Sequence, residues 1–229
     1  MKKVNRLLFL LSISYAISCC VSFAGNDNNI AKRWEVFSDT TLYQIISKGE
    51  AAGEYQAFPD ACRLQNGDIV TVFYAGEDHV TYPNDKYPKA GRICLVRSTD
   101  EGKTWSDPEV IYDDFYDNRD PHIGQLSDGT LALSFFSLEL HEGSKELLPK
   151  GIHILRSFDN GINWNTETQL IVSGEEHWFC SAPIREVADG TLILPVYYQL
   201  LGSEVAYGGV FLSYDKGASW SKVVTHREA

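Results

Sequence analysis

Short apolar and β-branched runs, separated by turn residues, recur along the chain from about residue 55 onward. Three of these runs (69–74, 131–136 and 192–198) directly follow an Asn-Gly or Asp-Gly turn, and three more lie at 93–96, 152–155 and 209–212. Asn-Gly and Asp-Gly between apolar runs indicate tight β-hairpins. Beyond the N-terminus no segment shows a sustained 3.6-residue period, so the pattern predicts an all-β chain.

An eight-residue motif, Ser-x-Asp-x-Gly-x-x-Trp, occurs three times. The copies occupy 98–105, 157–164 and 213–220, and a period of about 60 residues is typical of a repeat architecture. In each copy the Asp carboxylate can accept hydrogen bonds from N–H groups of the turn, while the Gly allows a positive φ. We call these segments the Ser-Asp turns, and we expect each Trp to begin the following strand.

Each repeat therefore holds four predicted antiparallel strands, A to D, as in a blade of a β-propeller. Propellers close with about four to eight blades. Three repeats are fewer than that, so we expect the chain to be a truncated part of a longer propeller, about half of it.

The N-terminus has the character of an export signal. Basic residues precede an apolar run at 7–17 that is too short to span a membrane. We predict a signal peptide over 1–24 and a partial propeller domain over 25–229. Cleavage after Ala24 and cleavage before Cys19, with lipidation of Cys19 as a membrane anchor, both stay open. Either predicts a periplasmic, extracellular or outer-membrane lipoprotein location.

Charge and cysteine content narrow the classes of partner. A formal net charge of −11 argues against nucleic acid or an anionic membrane surface as the main partner. It does not exclude an acidic sugar, because a distant field is screened over about 8 Å. Cys62 and Cys94 fall on strands A and C of one repeat, about 10 Å apart, which is beyond the reach of a disulfide. We expect these two residues and Cys180 to be buried free thiols.

The order of the strands sorts the connections onto two ends of each blade. The A–B and C–D turns share one end, the turn face, and the longer B–C and D–A connections share the other, the loop face. Binding and catalytic residues are concentrated on such loops. The predicted loops of this face cover 47–58, 75–92, 113–121, 137–151, 173–183 and 199–208.

The loop face holds carboxylates and imidazoles that suit general acid–base chemistry. The candidate catalytic residues are Asp78, Asp85 and Glu176, and the candidate substrate-binding residues are Arg119, Asp60, His79, Asp120, His122 and His177. Arg119 lies at the start of an inner strand, and arginine captures carboxylates bidentately.

Each assignment has a structural alternative. The segment 77–85 can be a solvated loop, and Arg119 can pair with Asp117 or Asp120. No His-Glu-x-x-His metal spacing and no Gly-x-Ser-x-Gly nucleophile motif occurs, so we predict neither a metal nor a cofactor.

Ser98 to Trp105, followed by Ser106-Asp107-Pro108, resembles the Asp box, or bacterial neuraminidase repeat, of the sialidase superfamily. The resemblance covers residues 55 to about 225. It implies a six-bladed propeller whose Asp boxes lie away from the active site. It also implies three arginines that hold the substrate carboxylate, an Asp that protonates the leaving group and a Tyr nucleophile activated by a Glu.

The chain departs from that pattern in its first repeat. The family has Phe/Tyr-Arg-Ile-Pro there, but this sequence reads Gln56-Ala57-Phe58-Pro59, so Ala57 replaces the arginine. The same offset from proline in the second repeat gives Arg119. The resemblance implies an acid/base Asp in the first B–C loop, where Asp78 and Asp85 are the candidates, and it implies that the Tyr and the last arginine lie in later blades.

These features predict an exported, exo-acting, sialidase-like glycoside hydrolase whose partner is a glycan, with an acidic terminal sugar among the candidates. Two alternatives stay open. One is a propeller-type polysaccharide lyase, in which a His/Tyr pair removes the proton next to a uronate carboxylate. The other is a carbohydrate-binding propeller without catalysis.

Overall fold

Thirteen strands and no helix make up the part of the chain that the structure describes. This computed structural model describes residues 43–47, 52–140, 147–165, 167–172, 176–200, 203 and 205–224. The strands are β1 (Tyr55–Arg63), β2 (Ile69–Gly76), β3 (Arg92–Ser98), β4 (Glu109–Tyr112), β5 (Asp117–Gln125), β6 (Leu131–Leu140), β7 (Leu147–Ser157), β8 (Gln169–Val172), β9 (Glu176–Cys180), β10 (Arg185–Glu186), β11 (Leu192–Leu200), β12 (Ala206–Ser213) and β13 (Ser221–Val224). The all-β prediction is confirmed.

The chain divides into residues 1–44 and 45–229, and the strands all belong to the second unit. The predicted signal peptide, with Cys19 and Ala24, lies outside the described residues. Cys62, Cys94 and Cys180 are free, with Cys62 half-buried and the other two buried. Within the described ranges no helix has the length and apolar character needed to cross a membrane.

The strands form three antiparallel sheets that follow the repeats. Sheet 1 has the order β1-β2-β3-β4, sheet 2 the order β5-β6-β7-β8, and sheet 3 the order β10-β11-β12-β13, with β9 also paired to β11. Apart from the pair β9 and β11, neighbouring strands are consecutive in the sequence, as expected when tight turns connect most of them.

Sheet 2 buries both of its faces, because its side chains alternate between two apolar cores. Leu131, Leu133 and Phe135 of β6 pack with the core residues of sheet 1. Ala132 and Phe136 of the same strand pack with those of sheet 3. Successive side chains of a strand point to opposite faces, so a nearly continuous apolar run is what a strand between two other sheets requires.

Each Ser-Asp turn is closed by its own side chains. In the first, the hydroxyl of Ser98 donates to Oδ1 of Asp100 and accepts from the N–H of Gly102, both at 2.8 Å. Oδ1 of Asp100 also accepts from the N–H of Thr104 at 2.8 Å. The turns at Ser157 and Ser213 repeat these bonds. The glycines have φ of 84°, 81° and 84°, which confirms the predicted positive φ.

An arginine just before two of these turns connects one sheet to the next. Nη2 of Arg97 in sheet 1 donates to the carbonyl of Asn160, in the turn of sheet 2, at 2.6 Å. Nη2 of Arg156 in sheet 2 donates to the carbonyl of Gly217, in the turn of sheet 3, at 3.0 Å. The same position of sheet 3 holds Leu212. We call these two contacts the arginine latches.

The strands run further into the predicted loops than the sequence indicates. β5 begins at Asp117, β6 continues to Leu140, and β9 covers 176–180 inside the predicted loop 173–183. Glu176 and His177 are therefore strand residues and not loop residues. Backbone pairing of β9 with β11, from Cys180–Val196 to Glu176–Leu200, overrides the polar character of the segment.

The inner strand of each sheet is irregular at a proline. The register shifts between Ala57 and Asp60 in β1 and between Arg119 and His122 in β5. In sheet 3 the inner edge is divided into β9 and β10, on either side of Pro183. Proline has no N–H to donate to a ladder, which explains the shared position of these irregularities.

Candidate functional site

Arg119 is the most buried of the predicted site residues on the loop face. The residue is 5% exposed. The guanidinium carbon lies 5.5 Å from the ring centre of Phe58 and 5.4 Å from that of Tyr74. Two aromatic rings thus hold the cation through cation–π contacts, which gain strength when water is excluded.

Asp117 fixes the orientation of this arginine. Nη1 of Arg119 donates to Oδ2 of Asp117 at 3.3 Å. Oδ1 of the same carboxylate accepts from the hydroxyl of Tyr74 at 2.8 Å and from the N–H of Gly91 at 3.1 Å. Burial raises the pKa of Asp117, and Arg119, Tyr74 and Gly91 oppose that rise. The pairing of Arg119 with Asp117, which the sequence analysis gave as the alternative to a binding role, is therefore confirmed, and it occupies one side of the guanidinium.

The other side of the guanidinium faces His79, from the loop after β2. Nη2 of Arg119 lies 3.2 Å from Nε2 of His79, and Nδ1 of His79 lies 3.0 Å from the hydroxyl of Tyr55. Arginine can only donate, so Nε2 accepts and the ring proton sits on Nδ1, which donates to Tyr55. The phenolic proton of Tyr55 is then free to serve another acceptor.

Asp60 and His122 form a second contact between sheets 1 and 2. Oδ2 of Asp60 accepts from the N–H of Ile123 at 3.0 Å and lies 3.5 Å from Nδ1 of His122. Burial raises the pKa of Asp60, but the hydrogen bonds from His122, Ile123 and Ala61 outweigh that effect and hold the pKa below its ordinary value. These contacts make Asp60 a bridge between two inner strands.

Asp120 has an unusual backbone and an unsatisfied side chain. Its φ is 47°, and it precedes Pro121. Within the part of the chain that the structure describes, Oδ1 of Asp120 is buried without a hydrogen-bond partner. Burial raises the pKa of Asp120, and the neighbouring Arg119, His122 and His79 act against the rise without cancelling it.

The remaining predicted residues lie at the margin of this cluster or apart from it. Asp78 is exposed, and its Oδ1 accepts from the N–H of His79 at 2.6 Å. Asp85 is also exposed. His177 is half-buried on β9, opposite Gln199, and Glu176 is described only by its backbone pairing with Leu200. The structure thus gathers Arg119, His79, Asp120, Asp60 and His122, with Asp78 beside them.

Four aromatic residues of the cluster were absent from the sequence prediction: Tyr55, Phe58, Tyr74 and Tyr197. Tyr74 ends an apolar run and has the pattern of a core residue. Tyr197 stacks on Phe179 with ring centres 4.8 Å apart, and the nearby Asp120 adds to the rise in its pKa that burial causes. No spacing in the sequence indicates these contacts, because those of Phe58 and Tyr74 with Arg119 join different repeats and that of Tyr197 with Phe179 depends on the pairing of β9 with β11.

Two negative observations limit the chemistry. Among the described residues no group of three or more His, Cys, Asp or Glu side chains could hold a metal ion. A cleft of about 670 Å³ lies on the turn face, between β5 and the β10–β11 turn, and none of the predicted site residues lines it. The acid–base groups and this cleft therefore lie at opposite ends of the sheets, the former on the loop face and the latter on the turn face.

Solved structures with the same arrangement of strands include enzymes that act on sugars. A protein of unknown function from Dyadobacter fermentans has a TM-score of 0.61 at 22% identity, covering 78% of this chain and 56% of its own. The intramolecular trans-sialidase from Ruminococcus gnavus, in complex with oseltamivir carboxylate, has a TM-score of 0.60 at 12% identity, covering 80% and 63%. A polysaccharide lyase of family PL25, an ulvan lyase, has a TM-score of 0.54 at 13% identity, covering 74% and 43%.

At these identities the likeness shows the fold alone. The chain spans less than two thirds of the length of each of these structures. No curated protein matches the sequence. The sequence profile of the BNR repeat-like domain, however, matches residues 92–228. The match covers more than half of the chain, which therefore belongs to the BNR repeat-like domain family.

Proposed function

We propose that this protein is an exported, sialidase-like glycoside hydrolase that acts on a terminal acidic sugar at the loop face of a propeller. In this proposal the three sheets are consecutive blades. The observation that carries it is the orientation of Arg119, whose Nη1 is occupied by Asp117 while Nη2 points to the loop that carries His79. With a ligand carboxylate on Nη2, each arm of the planar guanidinium fork would hold a carboxylate, which the single ammonium of a lysine cannot reproduce.

The surroundings of Arg119 support an anionic ligand in particular. The deduced tautomer leaves His79 neutral while its Nε2 accepts from Arg119. A ligand carboxylate that replaced this contact would give Arg119 a charged partner, and hydrogen bonds to charged groups are the stronger ones. The Ruminococcus gnavus enzyme, which has this fold, binds oseltamivir carboxylate.

The proton donor of the proposed hydrolysis belongs among the carboxylates of the loop face. Glycosidases transfer a proton from a carboxyl group to the leaving oxygen as the glycosidic bond breaks. Asp78 and Asp85 are the candidates that the family resemblance gives, and Glu176 is the candidate for activating a nucleophile. Asp60, His122 and His177 would contribute to binding from the inner strands.

The test is turnover by the full chain and its dependence on Arg119. Hydrolysis of 4-methylumbelliferyl sialoside or glucuronide by the wild type is the expected result, with Arg119→Lys raising KM because a lysine keeps the charge and loses the fork. Arg185→Lys, on the exposed turn face, is the matched control. Binding of acidic glycans without turnover would instead identify a carbohydrate-binding propeller. The absence of both binding and turnover would refute the proposal.

A polysaccharide lyase is the second candidate, and one contact favours it. The hydroxyl of Tyr55 lies 3.0 Å from Nδ1 of His79, which is the kind of His/Tyr pair that can remove a proton next to a uronate carboxylate. The PL25 ulvan lyase supplies a relative in fold. Incubation with a uronate polysaccharide distinguishes the two candidates, since only a lyase releases an unsaturated, ultraviolet-absorbing product.

A further inference from the structure

Phe58 and Asp120 occupy equivalent places in sheets 1 and 2. Each directly precedes a proline of an inner strand, and each lies in the stretch where the register shifts. Their φ angles are 54° and 47°, in the left-handed region that residues other than glycine rarely adopt. The repeat therefore imposes one strained backbone conformation at both positions.

Comparison of the two positions separates the backbone from the side chain. Phe58 adopts the conformation with an apolar side chain, so the bulge itself does not require a carboxylate. Backbone strain of this kind is concentrated at functional sites. The backbone conformation therefore does not account for the carboxyl group at position 120, and the surroundings of that side chain have to.

The side chain of Asp120 is placed as a reactive group rather than as a structural one. Its Oδ1 is buried without a partner in the described part of the chain, although buried polar atoms are nearly always hydrogen-bonded. By contrast, Asp117 and Asp60 on the same two inner strands accept two or more hydrogen bonds each. Among the described residues, the buried Oδ1 next to Arg119 therefore has no structural hydrogen bond to give up when a ligand reaches it.

Charged and titratable groups face Asp120 from every neighbouring element. They are Arg119 and His122 of β5, His79 of the loop after β2, Cys180 of β9 and Tyr197 of β11. Burial raises the pKa of Asp120 despite the three basic neighbours. A carboxyl group that keeps its proton to higher pH is the kind that can act as a general acid.

We propose that Asp120, and not the exposed Asp78 or Asp85, is the proton donor of the site. The inference rests on the proposed hydrolysis. As the bond between the anomeric carbon and the leaving oxygen breaks, the carboxyl group of Asp120 transfers its proton to that oxygen, which keeps the bonding electron pair and departs as an alcohol. Water then adds to the anomeric carbon and returns one proton to the carboxylate of Asp120.

The test compares two substrates that differ in their need for an acid. The full-chain wild type and Asp120→Asn are assayed on 3′-sialyllactose, whose leaving group needs protonation, and on 4-methylumbelliferyl sialoside, whose leaving group hardly does. Asparagine tolerates a positive φ, so this variant keeps the backbone. Asp120→Gly, which tolerates it too, is the second variant, and Asp107→Asn on the turn face is the control.

We expect Asp120→Asn to lower kcat/KM on 3′-sialyllactose by about 10²–10⁴-fold, the usual contribution of a general acid, and to lower it much less on the aryl sialoside. The fall of activity at high pH should also disappear in this variant. If wild type is active and Asp120→Asn matches it on both substrates, the inference is wrong while the proposed function stands. The inference is also wrong if Asp78→Asn or Asp85→Asn, and not Asp120→Asn, lowers kcat/KM strongly on 3′-sialyllactose and only weakly on the aryl sialoside. An inactive wild type refutes the proposed function itself.

Discussion

Nη2 of Arg119 lies 3.2 Å from Nε2 of His79, so an inner strand of sheet 2 contacts the loop that follows β2 of sheet 1. The two residues are 40 positions apart in the sequence. The cation of the candidate site therefore depends on two repeats at once. Its other hydrogen bond, to Asp117, lies within one strand, and this difference leads to the first prediction.

Arg119→Met should destabilise the fold through Asp117. The substitution leaves a carboxylate that is 0% exposed without its cation, and breaking a buried pair in this way costs about 3–5 kcal/mol. Urea unfolding measures the change in free energy. The double variant Arg119→Met/Asp117→Asn should recover part of the lost stability, because it also removes the carboxylate charge that the single variant leaves buried without a cation. Equal stability of both variants would show that the pair carries no coupling.

Gly91→Ala should disturb the same carboxylate from the backbone side. A Cβ at position 91 would lie 2.1 Å from Oδ1 of Asp117 and 2.3 Å from a ring atom of Tyr74. The neighbours must move, and overpacking of this kind costs about 1–3 kcal/mol. Gly67→Ala is the control, since nothing lies within 4 Å of its added Cβ and only its φ of +97° opposes the substitution. We expect Gly91→Ala, but not Gly67→Ala, to weaken binding of 3′-sialyllactose in calorimetry.

The arginine latches should contribute measurably to stability. Arg97→Met removes the bond to the carbonyl of Asn160 and the ion pair with Asp68, whereas Arg156→Met removes the bond to the carbonyl of Gly217. Loss of a hydrogen bond from a charged group costs about 1.5–3 kcal/mol. Chemical denaturation of both variants checks this, with Arg63→Met, an exposed arginine of β1, as the control. A loss no larger than that of the control would contradict the assigned role.

The Ser-Asp turns should make stability depend on pH in the acid range. Hydrogen bonds from Asn163 and Ser157 lower the pKa of Asp159 to about 2 from an ordinary 3.8. A lowered pKa in the folded state stabilises the fold above 3.8, and this contribution is lost as the pH falls through about 2. Asp159→Asn should therefore be less stable than wild type at pH 7, and the difference should shrink toward pH 2. A difference that stays constant would show that the charge is irrelevant.

The repeats were predictable because their signals are local. Asn-Gly, Asp-Gly and the Ser-Asp turns each specify a hairpin within a few residues. The strands after the Asn-Gly and Asp-Gly turns match β2, β6 and β11, whereas β4, β8 and β13, which follow the Ser-Asp turns, begin one to five residues after the Trp that was expected to start them. The division of the inner strand of sheet 3 was not predictable. Residues 176–180 are polar and aromatic, and only their pairing with β11 makes them a strand.

The candidate site was predictable in part for the same reason. Arg119, Asp120 and His122 follow one another around a proline, and a single motif pointed to all three. The partnership of Arg119 with His79, and the enclosure of the guanidinium by Phe58 and Tyr74, depend on how sheets 1 and 2 meet. Such contacts between repeats leave no periodic trace in the sequence.

The arginine latches also define how far a local disturbance can travel. Each reaches one sheet onward and no further, while each Ser-Asp turn is satisfied by its own side chains. The sheets are thus coupled as nearest neighbours, in the manner of a one-dimensional array. Damage to sheet 3 should accordingly loosen sheet 2 before sheet 1, so amide hydrogen exchange should rank the sheets by their distance from the damage.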